Sequence, residues 1–141
     1  MPAVQPDPID DRTPLMLAVC AREFGQVLEL ILDGAELDAK THEGWTALTY
    51  AISYQEYEIA RQLLDSGANP DPVASYDMQD APLALAAQRG DFDLVRLLIA
   101  HGANADVYSG ISALRAEGYA RHCGHHDISE FLLYHEDKKK R

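Results

Sequence analysis

An all-α solenoid of stacked helix-turn-helix units is the fold this sequence predicts, and two phrases recurring in step predict it. One phrase reads LILDGAELD, LLDSGANPD and LIAHGANAD, with glycines at Gly34, Gly67 and Gly102. The other reads Thr13-Pro14-Leu15, Thr46-Ala47-Leu48 and Ala81-Pro82-Leu83. Both keep spacings of 33 and then 35 residues, and two separate motifs sharing one period define a tandem repeat. Between the phrases the apolar residues fall at helical spacing.

Each element has its own physical reason. Thr46 is a natural N-cap, its hydroxyl satisfying an otherwise orphan backbone N–H, and the position after it accepts a proline's fixed φ, as at Pro14 and Pro82. Leu48, Ala51 and Ile52 then share one face of a first helix, and Ile59, Leu63 and Leu64 a face of the second. Gly34, Gly67 and Gly102 follow the second helices, where a left-handed residue is wanted. The small residues Ala18, Ala51, Ala86 and Ala87 let neighbouring first helices approach closely.

This pattern resembles the ankyrin-repeat family over roughly residues 9–135. The resemblance implies an ankyrin-repeat solenoid whose units are joined by hairpin-loop fingers. The expected layout is an extended N-terminal segment (1–10), a repeat domain (11–135; repeats about 11–43, 44–78, 79–109 and 110–135) and a basic tail (136–141). Repeat three is the most regular, whereas repeat one carries Arg22 where the family usually places a turn glycine. Repeat four is expected to open at Ser112-Ala113-Leu114 with a first helix about three residues longer, preceded by a finger two residues shorter. Beyond Leu133 the chain turns polar, as a terminal cap meeting water requires.

The family resemblance further implies a concave binding surface of finger tips and outward positions of the first helices. Carried over position by position, the second finger contributes Lys40, His42, Glu43 and Trp45, and the first helices contribute Ser53, Tyr54, Gln88 and Arg89. Cys20 and Ala21 occupy the corresponding positions of repeat one. The third finger, two residues longer, adds Tyr76, Asp77 and Met78 as an irregular loop, and the fourth adds Tyr108. Trp45 and the tyrosines are the expected anchors, because aromatics dominate interface energies.

Composition narrows the partners. A hydrophobic content of 47% argues against disorder, and no stretch approaches the roughly 18 apolar residues of a membrane helix. The first eleven residues lack a basic start and an apolar run, so a cytoplasmic location is expected. Net charge is −11 although the last six residues are net basic, which disfavours nucleic acid and anionic membranes and favours a protein partner with a basic face. Cys20 and Cys123 lie in the first and last repeats, about 25–30 Å apart at 8–10 Å per helix layer, too far for a disulfide.

No catalytic site is expected, and no cofactor or metal. The cluster His122-Cys123-Gly124-His125-His126 has zinc-ligand residue types, but Gly124 falls in the inter-helix turn and breaks the helical face that an i, i+4 pair needs. The expected function is non-catalytic binding of another protein by a chain that is monomeric alone, as a stoichiometric inhibitor or immunity-type protein of a basic partner. An adaptor within a larger complex is the alternative, and a metal- or thiol-dependent sensor or enzyme built on 122–126 is an alternative of another class.

Overall fold

The computed structural model describes residues 10–72, 81–105 and 115–139, which form eight helices and no strand. They pair as α1 (Pro14–Cys20) with α2 (Phe24–Leu32), α3 (Ala47–Ser53) with α4 (Tyr57–Asp65), α5 (Pro82–Arg89) with α6 (Phe92–Ala100), and α7 (Ala116–His122) with α8 (His126–Lys139). First helices α1, α3, α5 and α7 pack in one row, and second helices α2, α4 and α6 in another. Phe92 and Phe131 meet edge to face at 5.3 Å and tie α8 to α6.

Local chemistry sets the helix ends as anticipated. Thr13 Oγ1 accepts from Met16 N and Thr46 Oγ1 from Thr49 N, both at 3.2 Å, caps that typically contribute about 1 kcal/mol each. Ala81 supplies no side-chain cap, and Pro82 at the first helical position sets the start instead. At the far ends of α2, α4 and α6 a left-handed glycine lets the next N–H turn back: Ala35, Ala68 and Ala103 donate to the carbonyls of Leu30, Leu63 and Leu98, each at 3.0 Å.

The core is one continuous apolar seam. Leu15, Leu48 and Leu83 are buried at one repeated position, and Leu63, Leu98 and Leu132 at another. Ala18, Ala51, Ala86 and Ala120 are buried between first helices, where a larger side chain would force the rows apart. Carboxylates fasten one finger to the next: Asp38 accepts from Asn69 N and Asp71 from Asn104 N, both at 2.7 Å.

Repeat four departs from the sequence expectation. Its first helix starts at Ala116 and has seven residues, like α1 and α3, so it is not extended. Arg115 takes the place of Thr46 and Ala81, and the fourth finger is correspondingly not shortened. The misleading signal was Ala113-Leu114, which imitates the opening phrase, while the true Leu position holds the charged Glu117. Residues 112–114 themselves lie outside the described residues. The helix α8 also continues to Lys139, so part of the basic tail is helical.

Two substitutions test this packing. Leu98 is fully buried, so Leu98→Ala should lower the unfolding free energy by about 2–5 kcal/mol in urea titrations. Gly90 has φ +74° and a Cβ there would meet His125 Cε1 at 2.5 Å, while Gly124 has φ +83° with open space around it. Gly90→Ala should therefore destabilise more than Gly124→Ala, and a second change, His125→Ala, should remove the difference.

Candidate protein-binding surface

The second finger closes on itself before it meets anything else. Thr41 N donates to Trp45 O at 2.9 Å, Trp45 N to Thr41 Oγ1 at 3.1 Å, and Gly44 N to Thr41 O at 2.9 Å. Thr41 is buried by this hairpin, which leaves His42 and Glu43 exposed at the tip. The tip is then tied to the chain before α1: Asp11 accepts from His42 N at 2.6 Å, and its other oxygen lies 3.3 Å from His42 Nδ1.

Between these two segments lies a cleft of about 350 Å³ lined by Asp10, Asp11, Arg12, Thr41, His42, Glu43 and Tyr50. Arg12 makes two 2.8 Å bonds to Asp10, and this pairing pulls the Asp10 carboxyl down to about 2. Desolvation opposes ionisation of Asp11, but the His42 backbone and ring bonds outweigh it and hold that carboxyl below its usual value. The linkage sign is that of a depressed acid. The Asp11 tie is present above the ordinary carboxylate range and is lost as pH falls through the lowered value. At neutral pH the cleft keeps its negative charge. Tyr50 lines it, and burial raises the phenol pKa, with the nearby Cys20 adding to it.

Trp45 is half-buried rather than fully exposed, its ring 4.8 Å from that of Tyr50. It is thus both a packing residue and part of the surface. Tyr54 lies one helical turn beyond Tyr50 and is 41% exposed, so Trp45, Tyr50 and Tyr54 form an aromatic stripe along α3. Positions equivalent to Tyr50 hold exposed Leu17 on α1 and half-buried Leu85 on α5, which extend the stripe sideways with apolar groups. Arg89 reaches from α5 to Ser53 Oγ at 3.5 Å.

One rim of the stripe is held by a strained residue. Arg22 occupies the left-handed region at φ 59°, and Gln55 does the same at φ 57° where the later repeats use Gly90 and Gly124. Such a conformation costs an L-residue roughly 1–2 kcal/mol. The Arg22 side chain supplies a reason to retain it: its guanidinium sits over the Tyr54 ring at 5.7 Å and its Nε is 3.1 Å from Glu56.

Of the twelve sequence-derived residues, eight lie among the described residues. Lys40, His42, Glu43, Tyr54 and Arg89 are exposed, and Trp45, Ser53 and Gln88 are half-buried. Tyr76, Asp77, Met78 and Tyr108 lie outside the described residues. Asp10, Asp11, Arg12, Arg22 and Tyr50 were not anticipated. The i, i+4 spacing of Tyr50 and Tyr54 was a readable signal, whereas the Asp11–His42 tie spans 31 residues and has none.

The cluster at 122–126 is divided among structural tasks. His125 Nε2 donates to the Gln88 carbonyl at 3.2 Å, Cys123 caps α7, and His126 begins α8. Among the described residues no group of three or more His, Cys, Asp or Glu side chains is placed to hold a metal ion. Cys20 and Cys123 are free thiols.

Comparison with known proteins agrees with this architecture. A family model for ankyrin repeats in three copies matches residues 3–74, and one for a single ankyrin repeat matches 79–110. The chain belongs to the ankyrin-repeat family, whose members are protein-interaction modules. It is 29% identical over 126 residues to an ankyrin repeat protein of Acanthamoeba polyphaga mimivirus, covering 88% of this chain and 16% of that one. It is 35% identical to the B-cell lymphoma 3 protein homolog of Mus musculus, covering 74% of this chain and 25% of the relative. With the human ankyrin repeat and KH domain-containing protein 1 the identity is 35%, over 69% of this chain and 4% of the other. The chain thus spans a quarter or less of the length of these relatives. Among the described residues no helix is long and apolar enough to cross a membrane.

Arg22→Gly and Gln55→Gly remove the same backbone strain, but only the first removes the clamp on Tyr54. Gln55→Gly should be more favourable than Arg22→Gly by about 1 kcal/mol, the combined size of an exposed ion pair and cation–π contact. Urea denaturation of both variants, repeated in a Tyr54→Ala background where the gap should shrink, checks this.

Proposed function

We propose that this chain binds a protein with a basic face through its fingers and first helices, as a stoichiometric inhibitor of that partner. The observation that carries the reading is the juxtaposition of the aromatic stripe on α3 with the acidic cleft beside it. Trp45, Tyr50 and Tyr54 offer large rigid contact area at low entropic cost. Asp10, Asp11 and Glu43 supply charge that would steer and then pair lysine or arginine side chains, with Arg12 and His42 setting the register. The stacked scaffold keeps the surface preformed, so little ordering is lost on docking. The strong net negative charge supports a basic partner. Lys40, Ser53, Gln88 and Arg89 are candidates for the same face by repeat position, with Arg89 reaching Ser53, and Tyr76, Asp77, Met78 and Tyr108 remain candidates by sequence position.

The test is a pull-down from the native organism's lysate with wild-type and Trp45→Ala/Tyr54→Ala baits, followed by titration of the captured protein. A true anchor should cost about 2 kcal/mol or more in affinity on truncation. The affinity should also fall with added salt, and the partner's activity should be lost at one-to-one stoichiometry. Equal retention by both baits would move the binding surface elsewhere, and salt-insensitive affinity would exclude the basic partner.

A further inference from the structure

The outer side of the second helices changes character between repeats. In repeats two and three it is charged and paired with itself. Arg61 lies 3.7 Å from Asp65, and Arg96 lies 3.2 Å from Asp93 with its guanidinium 4.6 Å from the centre of the Phe92 ring. Arg61, Asp65, Arg96 and Ala100 are all exposed although both repeats have a neighbour on each side, so stacking does not cover these positions.

Repeat one holds Phe24, Leu28 and Leu32 where repeat two holds Tyr57, Arg61 and Asp65, and repeat three Phe92, Arg96 and Ala100. Steps of four residues set the three side chains on one line along α2. Leu32 is 77% exposed, Phe24 is 43% exposed and Leu28 is half-buried. A leucine left that far in water adds little to the core. Its counterparts stay in solvent between neighbouring repeats, so a further repeat would not cover it either. An apolar line at positions where sister repeats carry charge marks a contact surface.

Charge selects the occupant. No Lys or Arg occurs between Glu23 and Ala39, whereas Glu23, Glu29, Asp33, Glu36 and Asp38 all fall in that span. Glu29 and Asp33 keep the same four-residue step one position beyond Leu28 and Leu32, so an exposed acidic row accompanies the leucines. A second copy of this chain would bring the same acids to an isologous contact and set like charges against each other. We infer that the outer face of α2 docks a basic amphipathic helix of another protein. The apolar stripe of that helix would cover Phe24, Leu28 and Leu32, and its lysines or arginines would pair with Glu29 and Asp33. This face belongs to the row of second helices, apart from the fingers and first helices, so it stands independently of the surface around α3.

The probe is a synthetic peptide with leucines at i, i+3, i+4 and i+7 and lysines beside them, titrated into the isotope-labelled full chain. Backbone amide signals of α2 should move and those of α3 should not. Leu28→Arg/Leu32→Asp, which installs the pair found in repeat two, should weaken binding by about ten-fold or more. Trp45→Ala/Tyr54→Ala should leave it unchanged. If the double variant at 28 and 32 does not fold, Leu32→Asp alone decides, since it alters an exposed side chain. A scrambled peptide of the same composition, and one with glutamates in place of the lysines, should bind many-fold more weakly. Absence of binding, equal binding of either control peptide, or shifts confined to α3 and the fingers would overturn the proposal. Self-association of wild type in sedimentation that Leu28→Arg/Leu32→Asp abolishes would assign the stripe to a second copy and overturn it as well.

Discussion

Everything in this molecule depends on the burial of each repeat's apolar seam by the next repeat. A pair of helices of seven to nine residues is too short to hold its shape in water alone, and only stacking removes enough apolar surface to order it. The fully buried residues fall at the same positions in successive repeats, so the core is a line along the stack. That geometry explains why small alanines separate the first helices and why carboxylates join neighbouring fingers. Both act across a junction rather than within a repeat.

The candidate surface is a product of the same junctions. Its cleft is made by Asp10, Asp11 and Arg12 from ahead of α1, by Thr41, His42 and Glu43 of the second finger, and by Tyr50 of α3. The Tyr54 ring is held by Arg22, one repeat earlier. Loss of stacking between these repeats would therefore dismantle the surface even if each helix survived. Strain at Arg22 and Gln55 is tolerated because the flanking helices are locked by packing, which over-determines the backbone of the turn. At the other end, repeat four replaces apolar stacking residues with a hydrogen-bonded polar set and still buries Ile128 and Leu132 toward repeat three.

The sequence by itself determined the repeat period, the helix starts at Thr13 and Thr46, the left-handed glycines and the apolar faces. These are local or periodic properties, and each follows from the bonding and steric preferences of a few adjacent residues. It also put Tyr54 and Arg89 at one repeated position, the last residue before the inter-helix turn. Only the tertiary structure decided what touches beyond neighbours in sequence: the Asp11–His42 tie, the Arg22–Tyr54 contact, the tilted packing of Trp45 against Tyr50, and His125 resting on Gly90. It also decided the register of repeat four, where Ala113-Leu114 looked like a helix start and Glu117 did not look like a core residue. A motif can be matched one residue at a time. Whether a glutamate may stand in a leucine position depends on a serine twelve residues away, and that pairing exists only after the chain has folded.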